Sequence, residues 1–304
     1  MTPNNQPIGL FDSGVGGLTV LREFERILPD ESVLYFGDTA RLPYGTRTPE
    51  EILAFVRDIL DWMAARNVKM AVMACNTSSA LALDIVRREY GFPVLGLIFP
   101  GARAAVKTGR RVGVIATPAT ASSGAYSQAM REICPEAQVW EVGCPDFVPI
   151  VEGDRIHDPA TLATAREYLQ PLLDRQIDTL VYGCTHYPHL SEVVRTIVGD
   201  RVTCIDPAVH LTRATVRELD LLGLHAAPSA HRPTQFFVSG KPSQFAELSS
   251  RWLGHRPGVE RVRFAPPPEV AEVATVTEPA IEPAIERADR NDAYADRPLV
   301  NADE

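Results

Sequence analysis

Cysteine is scarce in this chain, five in 304 residues, and no two of them form a CxxC pair. An odd, widely spaced set argues against a disulfide framework and against a zinc module, and fits a reducing cytoplasm. Lysine is scarcer still: Lys69, Lys107 and Lys241 are the only ones among 30 basic residues. A pyridoxal-phosphate enzyme needs a lysine to hold its cofactor as a Schiff base. Lys69 stands at a strand entry and Lys107 inside a helical pattern, while Lys241, in SGKPSQF, lacks the spaced glycines of a phosphate loop. Long apolar runs are missing too. The most apolar stretch, VLGLIFPGARAAV, is broken by Pro100 and Arg103, and the opening MTPNNQPIGL has no basic region or apolar core. Neither a secretion signal nor a membrane span is expected, and the predicted location is the cytoplasm. Positive charge is not in excess: the net charge is −9. Ten acidic and three basic residues fall within 265–304, so that stretch carries most of the negative charge and the chain ahead of it is nearly neutral. Nothing here predicts a nucleic-acid partner, which calls for a basic face.

What is present has a clear order. Residues 265–304 combine six prolines, excess acid and one aromatic, Tyr294. Such a segment buries too little apolar area to offset its ordering entropy and reads as a disordered acidic tail. Ahead of it, PIGLFD, VLYFGD, KMAVMAC and FPVLGLI read as buried strands alternating with the helix patterns GGLTVLREFERIL, PEEILAFVRDILDWMAARN and SSALALDIVRREYG. Strict alternation predicts a parallel sheet covered on both faces. The order then begins again: RRVGVIAT and SSGAYSQAMREI echo the first strand and helix, QVWEVGC echoes VLYFGD, DTLVYGC echoes KMAVMAC, and VTCIDPA echoes the run ending at Pro100. The interval between matched landmarks is nearly constant and widens slightly from Gly9/Gly113 through Gly37/Gly143 to Cys75/Cys184, as small loop insertions would make it. The fold class predicted is α/β, two similar doubly wound parallel-sheet domains related by a pseudo-twofold. LTRATVRELDLLGL, TQFFVSG and PSQFAELSSRWLG, which follow, fit either half.

Ligands of open α/β sheets gather beyond the carboxyl ends of the strands. Standing there are Asp12 and Ser13, Asp38, Cys75 with Asn76 and Thr77, Thr117 and Thr120, Glu152, and Cys184 with Thr185 and His186. Each half therefore offers a thiol, small hydroxyl or amide groups, and a carboxylate. Each thiol also precedes a helix, with Asn76 and Thr77 as cap candidates in one case and Pro188 as a first helical residue in the other. A helix start favours an anion, so these thiols are expected to ionise more easily than usual. A cysteine ending an apolar strand is more often packing than chemistry, the reading given to Cys134, Cys144 and Cys204. Two at equivalent places of a doubled fold are different, because strand ends facing one cleft present thiols to opposite sides of one small molecule. Inversion of a carbon centre needs such opposed acid and base groups, one sulfur charged and the other neutral. Alternatives remain open. DSGVGGLT suggests a dinucleotide loop, but Thr19 stands where its third glycine belongs. Cys184 with His186 suggests a thiol hydrolase, although neighbours two apart at a turn rarely point together. A non-catalytic amino-acid-binding protein is the third.

Five stretches, FDSGVGGLTVL, YFGDTARLPYGTRT, ACNTSSA, FVPIVE and GCTHYPHL, resemble in order and spacing the motifs of bacterial glutamate racemases, within the aspartate/glutamate racemase superfamily. The resemblance spans residues 8 to about 208 and leaves out the tail. It implies a cofactor-independent enzyme that interconverts L- and D-glutamate for peptidoglycan synthesis, with Cys75 and Cys184 as the two bases. By the same carry-over Asp12, Glu152 and His186 assist proton transfer, and Asp12, Ser13, Tyr44, Gly45, Asn76, Thr77, Thr185 and His186 contact the substrate; no metal is implied. Residues alone read Tyr44-Gly45 as a turn after Pro43 and Asp12 as a helix cap, a place Ser13 fills equally. The resemblance further implies a homodimer and the domain division 1–98 plus 209–264, 99–208, and the tail 265–304, with the active site in the cleft between the two α/β domains.

Overall fold

Alternating apolar and β-branched residues build ten strands, and in the computed structural model, which describes residues 4–228 and 232–264, every strand pairing is parallel. The expected acidic tail at 265–304 lies outside the described residues. Strands β1 (Ile8–Asp12), β2 (Val33–Gly37), β3 (Met70–Met73) and β4 (Val94–Gly96) belong to the first sheet, and β5 (Arg111–Ala116), β6 (Gln138–Gly143), β7 (Thr179–Gly183) and β8 (Thr203–Ile205) form the second. The last two, β9 (Gln235–Val238) and β10 (Val259–Arg261), return to the first sheet beside β2, giving the order β10-β9-β2-β1-β3-β4. The second sheet runs β6-β5-β7-β8, the same order as β2-β1-β3-β4.

The repeat extends to register. Gly9 pairs with Leu34 on one side and Ala71 on the other, and Gly113 pairs with Trp140 and Leu180. The step along the chain from Leu34 to Trp140 equals that from Gly37 to Gly143, and the step from Ala71 to Leu180 equals that from Cys75 to Cys184. Side chains alternate between the faces: Ile8, Leu10, Val33, Tyr35, Met70 and Val72 enter one core, and Phe11, Leu34, Phe36, Ala71 and Met73 enter the other. In the second sheet Val112, Val114 and Ala116 face one core, Ile115 the other. With helices on both faces, β1, β2, β3 and β7 are buried along their whole length and mostly apolar, whereas the edge strands β6 and β10 carry Gln138, Glu141, Glu260 and Arg261 and are partly exposed.

The helices are α1 (Leu18–Ile27), α2 (Pro49–Ala64), α3 (Asn76–Val86), α4 (Ile98–Thr108), α5 (Pro118–Ser123), α6 (Ala125–Ile133), α7 (Phe147–Glu152), α8 (Pro159–Asp174), α9 (Ser191–Val198), α10 (Pro207–Leu222) and α11 (Pro242–Leu253). Helix α2 starts with a reciprocal cap: the Thr48 hydroxyl accepts from Glu51 N at 3.2 Å and the Glu51 carboxylate from Thr48 N at 3.0 Å. Five local expectations are corrected. The run FPVLGLI is strand only over β4; Ile98 already opens α4, whose first turn tolerates Pro100 because an N–H there has no partner to lose. The single helix expected over 122–133 is split at Gly124, whose φ of +64° suits glycine and ends α5 before α6 begins. Pro188 sits in a 3-10 turn, Tyr187–Leu190, ahead of α9. Asn76 is the first helical residue of α3 and Cys75 itself is its cap, without a side-chain hydrogen bond. Likewise neither Asp12 nor Ser13 caps α1, which starts after Gly17.

Candidate active site

A cavity of about 610 Å³ opens at the carboxyl ends of β1, β3, β5 and β7, and the residues predicted at those ends border it except Asp38 and Thr120, which lie behind its wall bonded to Tyr44 and to Thr77 and Thr117. Cys75 follows β3 of the first sheet and Cys184 follows β7 of the second. Both are buried, each 6% exposed, yet both face this one space, near enough for the charge of one to act on the other.

Each thiol has its own carboxylate. On the first side Asp12 ends β1 with Oδ1 accepting from Gly14 N at 2.7 Å, and Thr185 of the other half donates its hydroxyl to Oδ2 at 3.4 Å. Burial raises the Asp12 pKa, opposed by the His186 charge and by backbone hydrogen bonds from Gly14 and Gly17. Burial, then the Asp12 charge, pushes the Cys75 thiol up to about 12, against the lowering hydrogen bonds from Ser78. The expectation of an easily ionised Cys75 is thereby corrected: desolvation outweighs the helix start. On the second side the His186 ring lies with Nδ1 3.8 Å from Cys184 Sγ and Nε2 3.1 Å from Glu152 Oε1. The two neighbours at the turn do point together, contrary to the sequence argument, because the 3-10 geometry after β7 folds the ring back over the sulfur. Burial alone would lower the His186 pKa, but hydrogen bonds to Cys184 and Glu152 and the charges of both raise it to about 10. Contact with Cys184 and Glu152 thus favours the protonated ring against its burial.

This raised value sets a pH dependence. An imidazole that titrates near 10 when folded and near 6.5 when unfolded stabilises the fold fully below about pH 6.5, and the contribution fades as pH climbs through 10. The unfolding free energy of wild type minus that of His186→Gln is accordingly expected to fall between pH 6.5 and 10 in denaturant titrations. A flat difference across that range would contradict the pairing.

Further contacts surround the cavity, some within one half and some between the halves. Thr77, Thr117 and Thr120 form a triangle of hydroxyls at 3.0, 3.1 and 3.0 Å. The Thr19 hydroxyl of α1 is shared between Gly16 O at 2.9 Å and Thr185 O at 3.3 Å. Tyr44, in a 3-10 turn (Tyr44–Thr46), donates its hydroxyl to the buried Asp38 carboxylate, and Gly45 packs against Thr117. From the returning segment, Trp252 stacks on His189 at 4.8 Å and meets the His186 ring edge-on at 6.3 Å. Sequence reasoning missed Trp252 and Tyr126, because each sits inside an ordinary helix pattern, and read Cys144, which follows β6 and borders the cavity, as packing. Among the described residues bordering the cavity there is no arginine or lysine, so an anion there meets hydroxyls, amides and backbone N–H groups. Nor do three His, Cys, Asp or Glu side chains gather as metal ligands among the described residues. No described helix is long and apolar enough to cross a membrane.

Comparison with known proteins agrees with this architecture. The family described as Asp/Glu/Hydantoin racemase matches residues 8–215. A glutamate racemase from Nostoc sp. is 63% identical over 263 residues, 86% of this chain and 90% of that one. The crystal structure of a glutamate racemase isoform from Bacillus anthracis superposes with a TM-score of 0.82 at 37% identity, covering 85% of this chain and 98% of that one. A Francisella tularensis glutamate racemase, solved in complex with D-glutamate, gives 0.79 at 34% identity, covering 86% of this chain and 98% of that one. With the family match spanning residues 8–215 and identity this high over nearly the whole of a relative, the chain belongs to the Asp/Glu/Hydantoin racemase family, among its glutamate racemases.

Proposed function

We propose that the protein interconverts L- and D-glutamate without a cofactor, using Cys75 and Cys184 as acid and base on opposite faces of the α-carbon. The observation that carries this reading is the pair of thiols reaching one cavity from equivalent positions of two repeated sheets. In one direction a Cys184 thiolate, with the His186 imidazolium as counter-charge, removes the α-proton while the Cys75 thiol delivers its own from the other face. A Cys75 thiol raised to about 12 suits that donor state. In the reverse direction Cys75 must first lose its proton, and Asp12, itself raised by burial, is placed to take it. Glu152 holds the imidazole in position through Nε2. Ser13, Asn76, Thr77, Thr185 and the Gly45 backbone N–H serve the substrate's carboxylates. Family membership supports glutamate as the substrate and peptidoglycan precursors as the product's destination. It also supports a cytoplasmic homodimer, which sedimentation of the purified protein tests. Sheet membership supports assigning residues 1–98 with 209–264 to one domain and 99–208 to the other.

The test is incubation of L-glutamate with purified protein in D₂O, with no cofactor added. Optical rotation should decay to zero while deuterium replaces the α-proton; binding without exchange would leave a non-catalytic amino-acid-binding protein. The 3.8 Å contact between Cys184 and His186 also suits a thiol hydrolase, a reading under which Cys75→Ser keeps full chemistry.

A further inference from the structure

The geometry points to Tyr126 as a positioning residue: its hydroxyl, reaching across from the second half, aims the Asn76 amide at a substrate carboxylate. This inference rests on the cavity being the glutamate site. Tyr126 lies in α6, fully buried in the core that α4 shares with β5, and Asn76 opens α3 of the first half. The phenol O–H donates to Asn76 Oδ1 at 2.7 Å. That bond occupies the amide oxygen and leaves Nδ2, which is buried with no hydrogen-bond partner in a residue bordering the cavity. A buried donor without a partner is costly, and an anion entering the cavity is the partner that removes the cost. No arginine or lysine among the described lining residues competes for that anion, and both ring nitrogens of the lining His186 are already engaged, by Cys184 and Glu152.

Turned over, the amide would donate Nδ2–H to the phenol oxygen and face the substrate with its carbonyl, repelling a carboxylate. Burial raises the Tyr126 pKa well above the ordinary phenol value, so the hydroxyl keeps the proton it donates. The neighbouring Thr77 is held in the same way, by Thr117 and Thr120 of the second half. Because donor and acceptor come from different halves, the amide is aimed only while the halves are together.

Tyr126→Phe removes a single oxygen and keeps the ring. The expected result is a rise in KM for both glutamate enantiomers of about tenfold, the worth of one hydrogen bond to a charged group, with kcat little changed and the melting temperature lowered by no more than a few degrees, since Asn76 Oδ1 loses its partner. Asn76→Ala alone should raise KM at least as much, and adding Tyr126→Phe to it should raise KM no further, since the amide through which Tyr126 acts is already gone. An unchanged KM in Tyr126→Phe, or an additive rise in the double variant, overturns the assignment. Calorimetric titration of D-glutamate into wild type and Tyr126→Phe reads the same difference without turnover. Should wild type bind glutamate but fail to racemise it, the reaction assignment falls, and this comparison still decides the role of Tyr126.

Discussion

Cys75→Ser and Cys184→Ser are each expected to lower glutamate racemisation by about 10³-fold, the scale on which a positioned acid or base contributes. A serine hydroxyl is far less acidic than a thiol, so it neither forms the base nor surrenders a proton at neutral pH. The pattern of what survives is more telling than the loss. Each remaining thiol reaches one face of the α-carbon, so it can remove and return the proton of one enantiomer only. In D₂O one variant should exchange the α-proton of L-glutamate without inverting it, and the other should do so with D-glutamate. Mirror-image exchange of this kind, read by proton NMR on each pure enantiomer, has no counterpart in a hydrolase or a one-base mechanism. Undiminished racemisation in either variant would falsify the two-base assignment.

Gly16→Ala is expected to cost about 10²-fold in kcat/KM, the penalty of moving a catalytic group by an ångström, while the protein remains folded. A Cβ at position 16 would lie 2.4 Å from Thr185 Oγ1, 2.5 Å from His186 Nδ1 and 2.6 Å from His186 Cε1. All three atoms belong to buried side chains of the other half. His186 cannot yield without leaving the Cys184 sulfur or the Glu152 carboxylate, 3.8 and 3.1 Å away. Overpacking of this size also destabilises, by about 1–3 kcal/mol, which circular dichroism and thermal melting would register. Gly91→Ala is the matched control: nothing lies within 4 Å of its added Cβ, and both activity and melting temperature should stay near wild type. Wild-type kcat/KM in Gly16→Ala would mean that the loop after β1 gives way freely and that the glycine there serves no purpose at the site.

This clash gives the glycines of DSGVGGLT a different purpose from the phosphate loop they resemble. Gly16 admits the histidine of the opposite half, and a Cβ at Gly17 would lie 2.6 Å from the Asp12 Cβ. Close approach of the other half at Gly16, and of Asp12, Ala74 and Tyr35 within the same half at Gly17, is what the small residues permit. Local sequence carries no sign of that, since both uses require a missing side chain at the same spacing.

By itself the sequence determined the alternation of strand and helix, the doubling, and the residues that end the strands, because these follow from periodicity and from covalent order. Even the slow drift of the repeat interval, from Gly9/Gly113 to Cys75/Cys184, returns as strand register. The place of β9 was open from the residues alone, as an apolar strand suits either sheet edge; tertiary pairing with β2 decided it, and β10, not foreseen in the sequence, pairs with β9. Tertiary structure likewise decided the ionisation at the site. A helix start suggested an acidic Cys75, but burial and the Asp12 carboxylate, distant in sequence, raise it instead. Contacts such as Tyr126 to Asn76 and His186 to Glu152 join groups far apart along the chain. Their energies depend on distance and dielectric, quantities that exist only once the chain is folded.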